Sequence, residues 1–218
     1  MEIAVERLAR SPKLGLIYRD LTALWEREQV ARQRFYEDIE EGQKAEFING
    51  EIIVHSPDKL KHLEVRKRLT ILLNTHVSVH ELGMVGDEKL LVTLTRNDYM
   101  PDVVFYLKER AAAFQPDQWQ FPAPDFAAEV LSASTRRRDR GAKFEDYAAH
   151  GVREYWLLDP DARTVEKFFL NPLGRYALEK KASGEDEIRS TLLSGLKVPA
   201  NAFFDDRANL LALRRLLK

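Results

Sequence analysis

Short apolar runs alternate with longer amphipathic segments along most of this chain, and this alternation limits the possible folds more than any other feature. Short runs rich in β-branched and aromatic residues, bounded by turn residues, are typical of strands, whereas apolar residues spaced three and four apart are typical of helices. Strand, helix and strand follow one another, which predicts an α/β domain with a mixed sheet.

The predicted elements follow directly from this pattern. The predicted strands are Lys89–Leu94, Asp102–Leu107, Asp125–Leu131, Tyr155–Leu158, Thr164–Leu170 and one near Gly174–Leu178. The predicted helices run from an N-cap at Asp58 to about His80, from Arg136 to His150, and through the leucines at the end of the chain, Leu210 to Leu217.

The N-terminal part of the chain predicts helices followed by a hairpin. Tyr18–Glu41 places apolar and aromatic residues at helical intervals among charged ones, which predicts one or two amphipathic helices. Asn49–Gly50 separates two apolar runs, and this dipeptide accepts the positive φ of a two-residue hairpin turn. We expect an N-terminal helical element over residues 1–43 and a larger domain over residues 44–218, together forming one compact unit.

The composition excludes several classes of protein. The 218 residues include no cysteine, so a metal would need oxygen or imidazole ligands. No apolar run approaches the roughly 20 residues of a membrane span, and the charged first residues do not resemble a secretory signal, which predicts a cytoplasmic protein without a membrane partner. A net charge of −1 argues against broad attraction to polyanions but allows a local basic patch.

Two acidic residues lie in or beside predicted strands, where acids are unusual. Asp102 opens one strand after Pro101, and Glu129 interrupts the apolar run of the next strong one. If these strands pair, both carboxylates meet at one edge of the sheet, where a hard divalent cation would offset their repulsion. The alternative involves no metal: Asp102 caps a turn, and Glu129 pairs with an arginine.

A strongly basic segment follows Glu129. The predicted helix that starts at Arg136 carries five cationic side chains up to Lys143. Helical spacing allows Lys143 to point toward the sheet edge, while Arg136–Arg138 near the helix start would attract phosphate. A solvated basic helix end is the alternative interpretation of this segment.

Five motifs occur along the chain in a set order. They are Ala45–Glu51 (AEFINGE), Pro101–Val104 (PDVV), Glu129–Thr135 (EVLSAST), Lys143–Tyr147 (KFEDY) and Gly151–Pro160 (GVREYWLLDP). Together they resemble the Uma-two family of restriction endonuclease-like proteins, in the PD-(D/E)XK nuclease superfamily, over roughly Phe35 to Phe204. The order of the motifs makes the resemblance specific, and it implies a restriction-endonuclease-like core in which helices flank a curved mixed sheet.

The resemblance also implies roles for individual residues. Asp102 and Glu129 match the two motif acids that hold a catalytic divalent metal, Mg²⁺ or Mn²⁺, and Glu46 would be a supplementary acid beside the metal. The plain motif has its lysine two residues after the second acid, where this chain has Leu131. The role of that lysine therefore passes to Lys143 on the following helix.

Substrate contacts are expected around these groups. His62, early on the long predicted helix, matches a histidine of the family. It is expected to approach the site, either to donate a hydrogen bond to a phosphate or to act as an acid. Arg136, Arg137 and Arg138 are expected to hold backbone phosphates, which gives salt-dependent binding with little sequence preference.

The predicted function is a Mg²⁺- or Mn²⁺-dependent endonuclease that hydrolyses phosphodiester bonds, with DNA as the expected substrate and a homodimer as the expected state. One alternative is a nucleic-acid-binding or regulatory protein that keeps the fold without turnover. Another is a structural assembly protein, which would bind no metal.

Overall fold

A computed structural model describes residues 2–40 and 42–218, with side chains described from residue 5 onward in those ranges. Met1 and Glu41, which fall within the predicted N-terminal helical element, lie outside the described residues. The helices are α1 (Glu2–Ala9), α2 (Leu14–Asp38), α3 (Leu60–Val79), α4 (Lys108–Ala111), α5 (Arg136–Asp139), α6 (Ala142–Ala149) and α7 (Asp206–Leu216), with a 3-10 turn at Ala200–Phe203. The strands are β1 (Ala45–Ile48), β2 (Glu51–Val54), β3 (Gly83–Asp87), β4 (Leu91–Thr93), β5 (Asp98–Tyr99), β6 (Val103–Leu107), β7 (Gln120–Phe121), β8 (Phe126–Val130), β9 (Glu154–Asp159), β10 (Thr164–Leu170), β11 (Tyr176–Ser183), β12 (Glu187–Arg189) and β13 (Lys197–Pro199).

A six-stranded sheet in the order β11-β10-β9-β8-β6-β3 forms the centre of the protein. Neighbouring strands in it are antiparallel except β8 and β9, which are parallel because α5 and α6 carry the chain across between them. The predicted α/β fold with a mixed sheet flanked by helices is therefore confirmed.

The inner strands β6, β8 and β9 are buried on both faces, as their nearly continuous apolar sequences require, whereas the edge strand β11 is largely exposed. Along β6, Val103 and Phe105 pack into one apolar cluster with α3 and α7, whereas Val104 and Tyr106 pack into another with α6. We call these the α3 face and the α6 face. Because side chains alternate along a strand, the sequence position of a strand residue decides which face it meets.

A second sheet, in the order β2-β1-β5-β4-β7, lies with the residues of the α6 face and carries the predicted hairpin. Asn49 and Gly50 have φ of 53° and 86°, the positive values that the two-residue turn requires. Helix α2 is attached to this sheet because Arg32 donates to both carboxylate oxygens of Asp98 at 2.7 and 2.8 Å. The division of the chain near residue 43 stays a prediction.

The single helix predicted from Arg136 to His150 is wrong. The segment forms two helices, α5 and α6, with a break at Arg140–Gly141. A β-carbon on Gly141 would lie 2.8 Å from the carbonyl oxygen of Arg137, so the close approach of the two turns requires glycine. The break redirects the chain before Lys143.

Two further predictions need correction. The carboxylate of Asp58 does not act as the predicted N-cap of α3, which begins at Leu60, but accepts from Arg66 Nη1 at 2.9 Å. The predicted strand Lys89–Leu94 is only three residues long, as β4, and belongs to the second sheet. In the central sheet, the strand that pairs with β6 on the side away from β8 is β3. Its two glycines are unfavourable in strands, so the sequence did not predict it.

None of the helices in the described ranges combines the length and the apolar character that crossing a bilayer requires.

Candidate active site

The strand register brings Asp102 and Glu129 together. Val103 on β6 is paired with Ala128 on β8, so Asp102 and Glu129 are the next positions along the two antiparallel strands. Asp102 has the same parity as Val104, and Glu129 the same as Ala127, so both carboxylates lie on the α6 face. They are 2% and 3% exposed, which makes their charges costly unless they are compensated.

Asp102 is tied to three groups from different elements. Its Oδ2 accepts from the backbone N–H of Val130 at 2.8 Å. Its Oδ1 accepts from Lys44 Nζ at 2.9 Å and lies 3.3 Å from His62 Nε2. Burial opposes ionisation, but His62 and Lys44 outweigh it and hold the pKa of Asp102 well below its ordinary value. The Asp102 carboxylate is therefore charged at neutral pH.

Lys143 lies between the other two predicted acids. It is 2% exposed on α6, and its Nζ is 2.8 Å from Glu46 Oε1 and 2.9 Å from Glu129 Oε1. Burial alone would lower the pKa of Lys143, but the carboxylates of Glu129 and Glu46 raise it well above its ordinary value. Lys143 is thus a buried ammonium held by two carboxylates.

Glu46 comes from β1 of the second sheet and is fully buried. Its Oε1 accepts from the backbone N–H of Met100 at 2.9 Å, and its Oε2 lies 2.9 Å from His55 Nε2. Burial opposes ionisation of Glu46, but Lys143 and His55 lower its pKa to about 2. The hairpin therefore supplies a third charged acid to the α6 face.

The pKa of Glu129, unlike those of Asp102 and Glu46, is shifted upward. Its Oε1 accepts from both Lys143 Nζ and the hydroxyl of Tyr147, the latter at 3.3 Å. Burial raises the pKa of Glu129 to about 8, aided by Asp139, although Lys143 opposes the shift. Adjacent acids with pKa values pushed apart are typical of functional sites.

These groups form a cluster in which acidic side chains outnumber lysines. The site cluster, as we call it, contains four buried carboxylates and two lysines: Glu46, Asp102, Glu129, Asp139, Lys44 and Lys143. If all four acids and both lysines are ionised, these six groups carry a net charge of −2, which is the charge that one divalent cation offsets; the raised pKa of Glu129 keeps a proton on that acid near neutral pH in the metal-free protein. The oxygen donors suit Mg²⁺ or Mn²⁺.

The described acids and histidines are not already arranged around a metal position. Within residues 2–40 and 42–218, no three Asp, Glu or His side chains form a group that could hold a metal ion as they stand. The lysines occupy the carboxylate oxygens instead, at Asp102 for Lys44 and at Glu46 and Glu129 for Lys143. The donor set fits a hard cation, provided that an ammonium moves aside.

A pocket of about 420 Å³ opens next to the site cluster. His55 and His62, which contact Glu46 and Asp102, line it together with two loops. The remaining lining residues are Ser56, Pro57, Asp58, Lys59, Lys61, Leu131, Ser132, Ala133, Ser134, Thr135, Pro160 and Asp161. The pocket therefore reaches the two histidines that contact Glu46 and Asp102, whereas the acids themselves lie behind its lining.

The predicted substrate residues differ in position. His62 lies at both the pocket and the acids, as described above. Arg136 pairs with Asp159 at 2.9 Å, and Arg137 is exposed. All three residues of Arg136–Arg138 are described, and they lie beyond the pocket lining, on the helix that follows Thr135. The structure brings the acids, Lys143 and His62 together but leaves the arginines outside this group.

Two members of the site cluster were missed from the sequence. Lys44 lies two residues before Glu46 at the start of the hairpin, and this spacing places both side chains on one side of a strand. Asp139 lies four residues before Lys143, the spacing of neighbours on a helix face. Both signals were present, but neither residue belongs to a motif.

Sequence comparisons show which known proteins this chain is similar to. The model of the Uma2 family, described as "Putative restriction endonuclease", matches residues 29–201. The "Uncharacterized protein slr1290" of Synechocystis sp. (strain ATCC 27184 / PCC 6803 / Kazusa) is 29% identical over 157 residues, which cover 70% of this chain and 80% of that protein.

A solved structure shares the fold. The crystal structure of "a putative nuclease belonging to DUF820" from Anabaena variabilis aligns with a TM-score of 0.63 at 19% identity, over 78% of this chain and 90% of that one. The structural likeness supports a nuclease-like fold, and the family match spans well over half of the sequence. The resemblance to the Uma-two family is thereby confirmed, and the chain belongs to the Uma2 family.

Proposed function

We propose that this protein is a metal-dependent endonuclease that hydrolyses phosphodiester bonds in DNA. The observation that carries the proposal is the meeting of two strand acids, Asp102 and Glu129, with the buried ammonium of Lys143 beside an open pocket. Carboxylates that hold a divalent cation next to a fixed positive charge suit phosphoryl transfer, since this chemistry depends on charge stabilisation. Membership of a family described as a restriction endonuclease supports the same chemistry.

The metal would be held by Asp102 and Glu129, with Glu46 as a further acid. When bound, Mg²⁺ or Mn²⁺ lowers the pKa of a coordinated water and offsets the charge that the phosphate gathers. The excess of acids over lysines in the site cluster supports this assignment, because a divalent cation would supply positive charge that the two lysines do not.

The side chains of the protein itself contribute charge and orientation. The raised pKa of Lys143 keeps its ammonium charged, so that it can orient the attacking oxygen and stabilise negative charge near Glu129. Asp102 is oriented by its bond from the Val130 N–H, and His62 beside it can donate to a phosphate oxygen. These groups act without rearrangement of the backbone.

The pocket would take the backbone of the nucleic acid. Lys59 and Lys61 are exposed cations in its lining, and hydroxyl groups of the loop that ends at Thr135 line the opposite wall. Arg136–Arg138 lie just past this loop and would hold the flanking phosphates. We therefore expect binding that weakens steeply with salt.

A homodimer completes the proposal, because cleavage of both strands is served by two copies of one site. The exposed apolar side chains of α2 are the candidate contact surface: Leu14, Leu16, Tyr18, Leu21, Leu24 and Trp25. The expected mass in solution, measured by light scattering, is twice that of the chain.

Cleavage assays test the central claim. Labelled single- and double-stranded DNA and RNA are incubated with the protein in Mg²⁺, Mn²⁺ or EDTA. Cleavage of DNA in either metal is expected, and both Asp102→Asn and Lys143→Met should lower the rate at least about 100-fold, because each removes a charge from the reacting centre.

The matched control is Asp125→Asn. This buried acid precedes β8 at the end opposite Glu129 and accepts from the Leu107 N–H, so its loss should not reduce the intrinsic rate. Cleavage that persists in EDTA, or in both site variants, would contradict the proposal. DNA binding without cleavage by the folded wild type would favour the regulatory alternative.

A further inference from the structure

Asp139 is a buried carboxylate whose oxygens have no hydrogen-bond partner within the described part of the chain. It is the last residue of α5, and its side chain is 1% exposed. Buried polar groups are almost always paired, because an unpaired one loses its hydration without compensation. The family motifs quoted above do not include Asp139, and the proposed reaction leaves it without a role.

The carboxylate is directed toward Lys143. Asp139 Oδ1 lies 3.8 Å from Lys143 Nζ, which is outside hydrogen-bond distance, whereas the same ammonium lies within 2.9 Å of both Glu46 and Glu129. A shift of about 1 Å by the flexible end of the lysine would bring it into a hydrogen bond with Asp139. The break at Gly141 allows this approach, since it turns α6 relative to α5.

A cation at Glu129 would compete with this lysine. Glu129 Oε1 accepts from Lys143, and a divalent ion on the same carboxylate would repel the ammonium. The displaced ammonium would keep Glu46 but lose its second carboxylate, and a buried donor left without an acceptor is costly, so it needs a replacement. Asp139 is the neighbouring carboxylate that still has both oxygens free within the described residues.

We propose that Asp139 is a positioning residue, the acceptor toward which Lys143 moves when a divalent cation binds to Asp102 and Glu129. This inference rests on the metal site of the proposed function. It adds that Lys143 has two positions, one on Glu129 and one on Asp139. Asp139 determines how readily the metal displaces Lys143 from Glu129.

Metal binding without turnover tests this inference. Mn²⁺ is titrated into the full-length, metal-free protein by calorimetry, and unfolding by urea is measured alongside. Asp139→Asn is expected to weaken Mn²⁺ binding by about tenfold, as the loss of an outer partner of a metal site does, because Lys143 then remains on Glu129. The stability of the metal-free protein should not fall, because the asparagine replaces an acid that lacks donors.

A double-mutant cycle with Lys143→Met identifies the route of the effect. When the lysine is absent, Asp139→Asn should have no further effect on the Mn²⁺ affinity, because its action passes through the ammonium. If Asp139 bound the metal itself, the tenfold loss would persist in the Lys143→Met background, and the inference would be overturned. Lys143→Gln replaces Lys143→Met if the latter does not fold.

The control again is Asp125→Asn, which removes a buried carboxylate away from the lysine and should leave Mn²⁺ affinity within about twofold. Unchanged affinity in Asp139→Asn with a folded protein would overturn the inference while leaving the metal site intact. A wild type that binds no Mn²⁺ would overturn both the inference and the proposed function, so the two failures are distinguishable.

Discussion

Two buried groups of charged side chains include residues of the six-stranded sheet, and they differ in their ratio of acids to lysines. The site cluster has two more carboxylates than lysines. The second group, which we call the Glu154 cluster, consists of Glu154, Lys167, Trp156, Ser190 and Thr191. In it one fully buried carboxylate faces one buried ammonium at 3.7 Å.

The hydrogen bonds of the Glu154 cluster are complete. Glu154 Oε1 accepts from Trp156 Nε1 at 2.7 Å, and its Oε2 accepts from Ser190 Oγ at 3.0 Å and from the Thr191 N–H. Lys167 donates to Glu179 and to a backbone carbonyl. Its satisfied hydrogen bonds favour a structural role for this cluster, whereas the excess of acids in the site cluster fits the cation site proposed above.

The largest expected effect on stability comes from breaking the balanced cluster. Glu154→Ala leaves Trp156 and Ser190 without their acceptor and removes the carboxylate that faces Lys167, and should lower the free energy of unfolding by about 3–5 kcal/mol. Urea denaturation measures the change. Glu179→Ala, which removes the half-exposed partner of Lys167, is the control and should cost under about 1 kcal/mol. If both variants lost equally little free energy of unfolding, the Glu154 cluster would not have the structural role that is said to distinguish it from the site cluster.

An intermediate effect is expected from the pH dependence of the site cluster. The pKa of Glu129 is raised from 4.5 to about 8, so between these pH values the folded chain binds more protons than the unfolded chain does. This contribution to stability is fully present below pH 4.5 and is lost as pH rises through about 8. The metal-free protein should therefore lose stability over that interval.

Glu129→Gln removes this titration. Relative to wild type, the variant should gain at least about 1 kcal/mol between pH 5 and pH 8, measured by urea denaturation without metal. Asp125→Asn should retain the slope of the wild type. Parallel curves for wild type and Glu129→Gln would mean that the site cluster does not hold an excess proton.

The smallest effect on stability is expected at the mouth of the pocket. Lys61 and Asp161 form an ion pair in which both side chains are more than half exposed. Lys61→Ala should change the free energy of unfolding by no more than about 1 kcal/mol. The affinity of the Lys61→Ala variant for DNA should nevertheless fall. The slope of log affinity against log salt concentration should be smaller by about one, because a phosphate contact is lost.

DNA binding at several salt concentrations in EDTA measures this slope. Lys181→Ala is a matched control, because Lys181 is a similarly exposed lysine in an ion pair on β11. If both variants bind DNA equally well, the pocket is not the surface that contacts the backbone.

The sheet and its acids could be predicted because strand periodicity determines both. Asp102 and Glu129 stand out as acids in apolar runs, and adjacent antiparallel strands then bring them together without further information. Helical spacing allowed Lys143 to point toward the sheet edge, but only the family resemblance gave it a role, since no local pattern says which way a helix packs on a sheet. Helix α5 and the break at Gly141 depend on a close backbone contact that the amino-acid order does not reveal.

The charge partners were harder to predict. Lys44 and His55 reach the site from the hairpin, and their contacts depend on how the second sheet lies against the α6 face. The basic run after Glu129 suggested phosphate binding, yet Arg136 and Arg140 pair with acids of β9 and β10. Such pairings join residues far apart in sequence, so composition alone could not identify them.

The loop between β8 and α5 has a consequence for how this protein can diverge. Residues 131–135 form one wall of the pocket, whereas the acids and Lys143 are anchored on strands and on α6. Loops tolerate insertions and substitutions that strands do not. If the proposed function holds, descendants of this gene can change which nucleic acid they accept by altering five loop residues while inheriting the same acids and lysine.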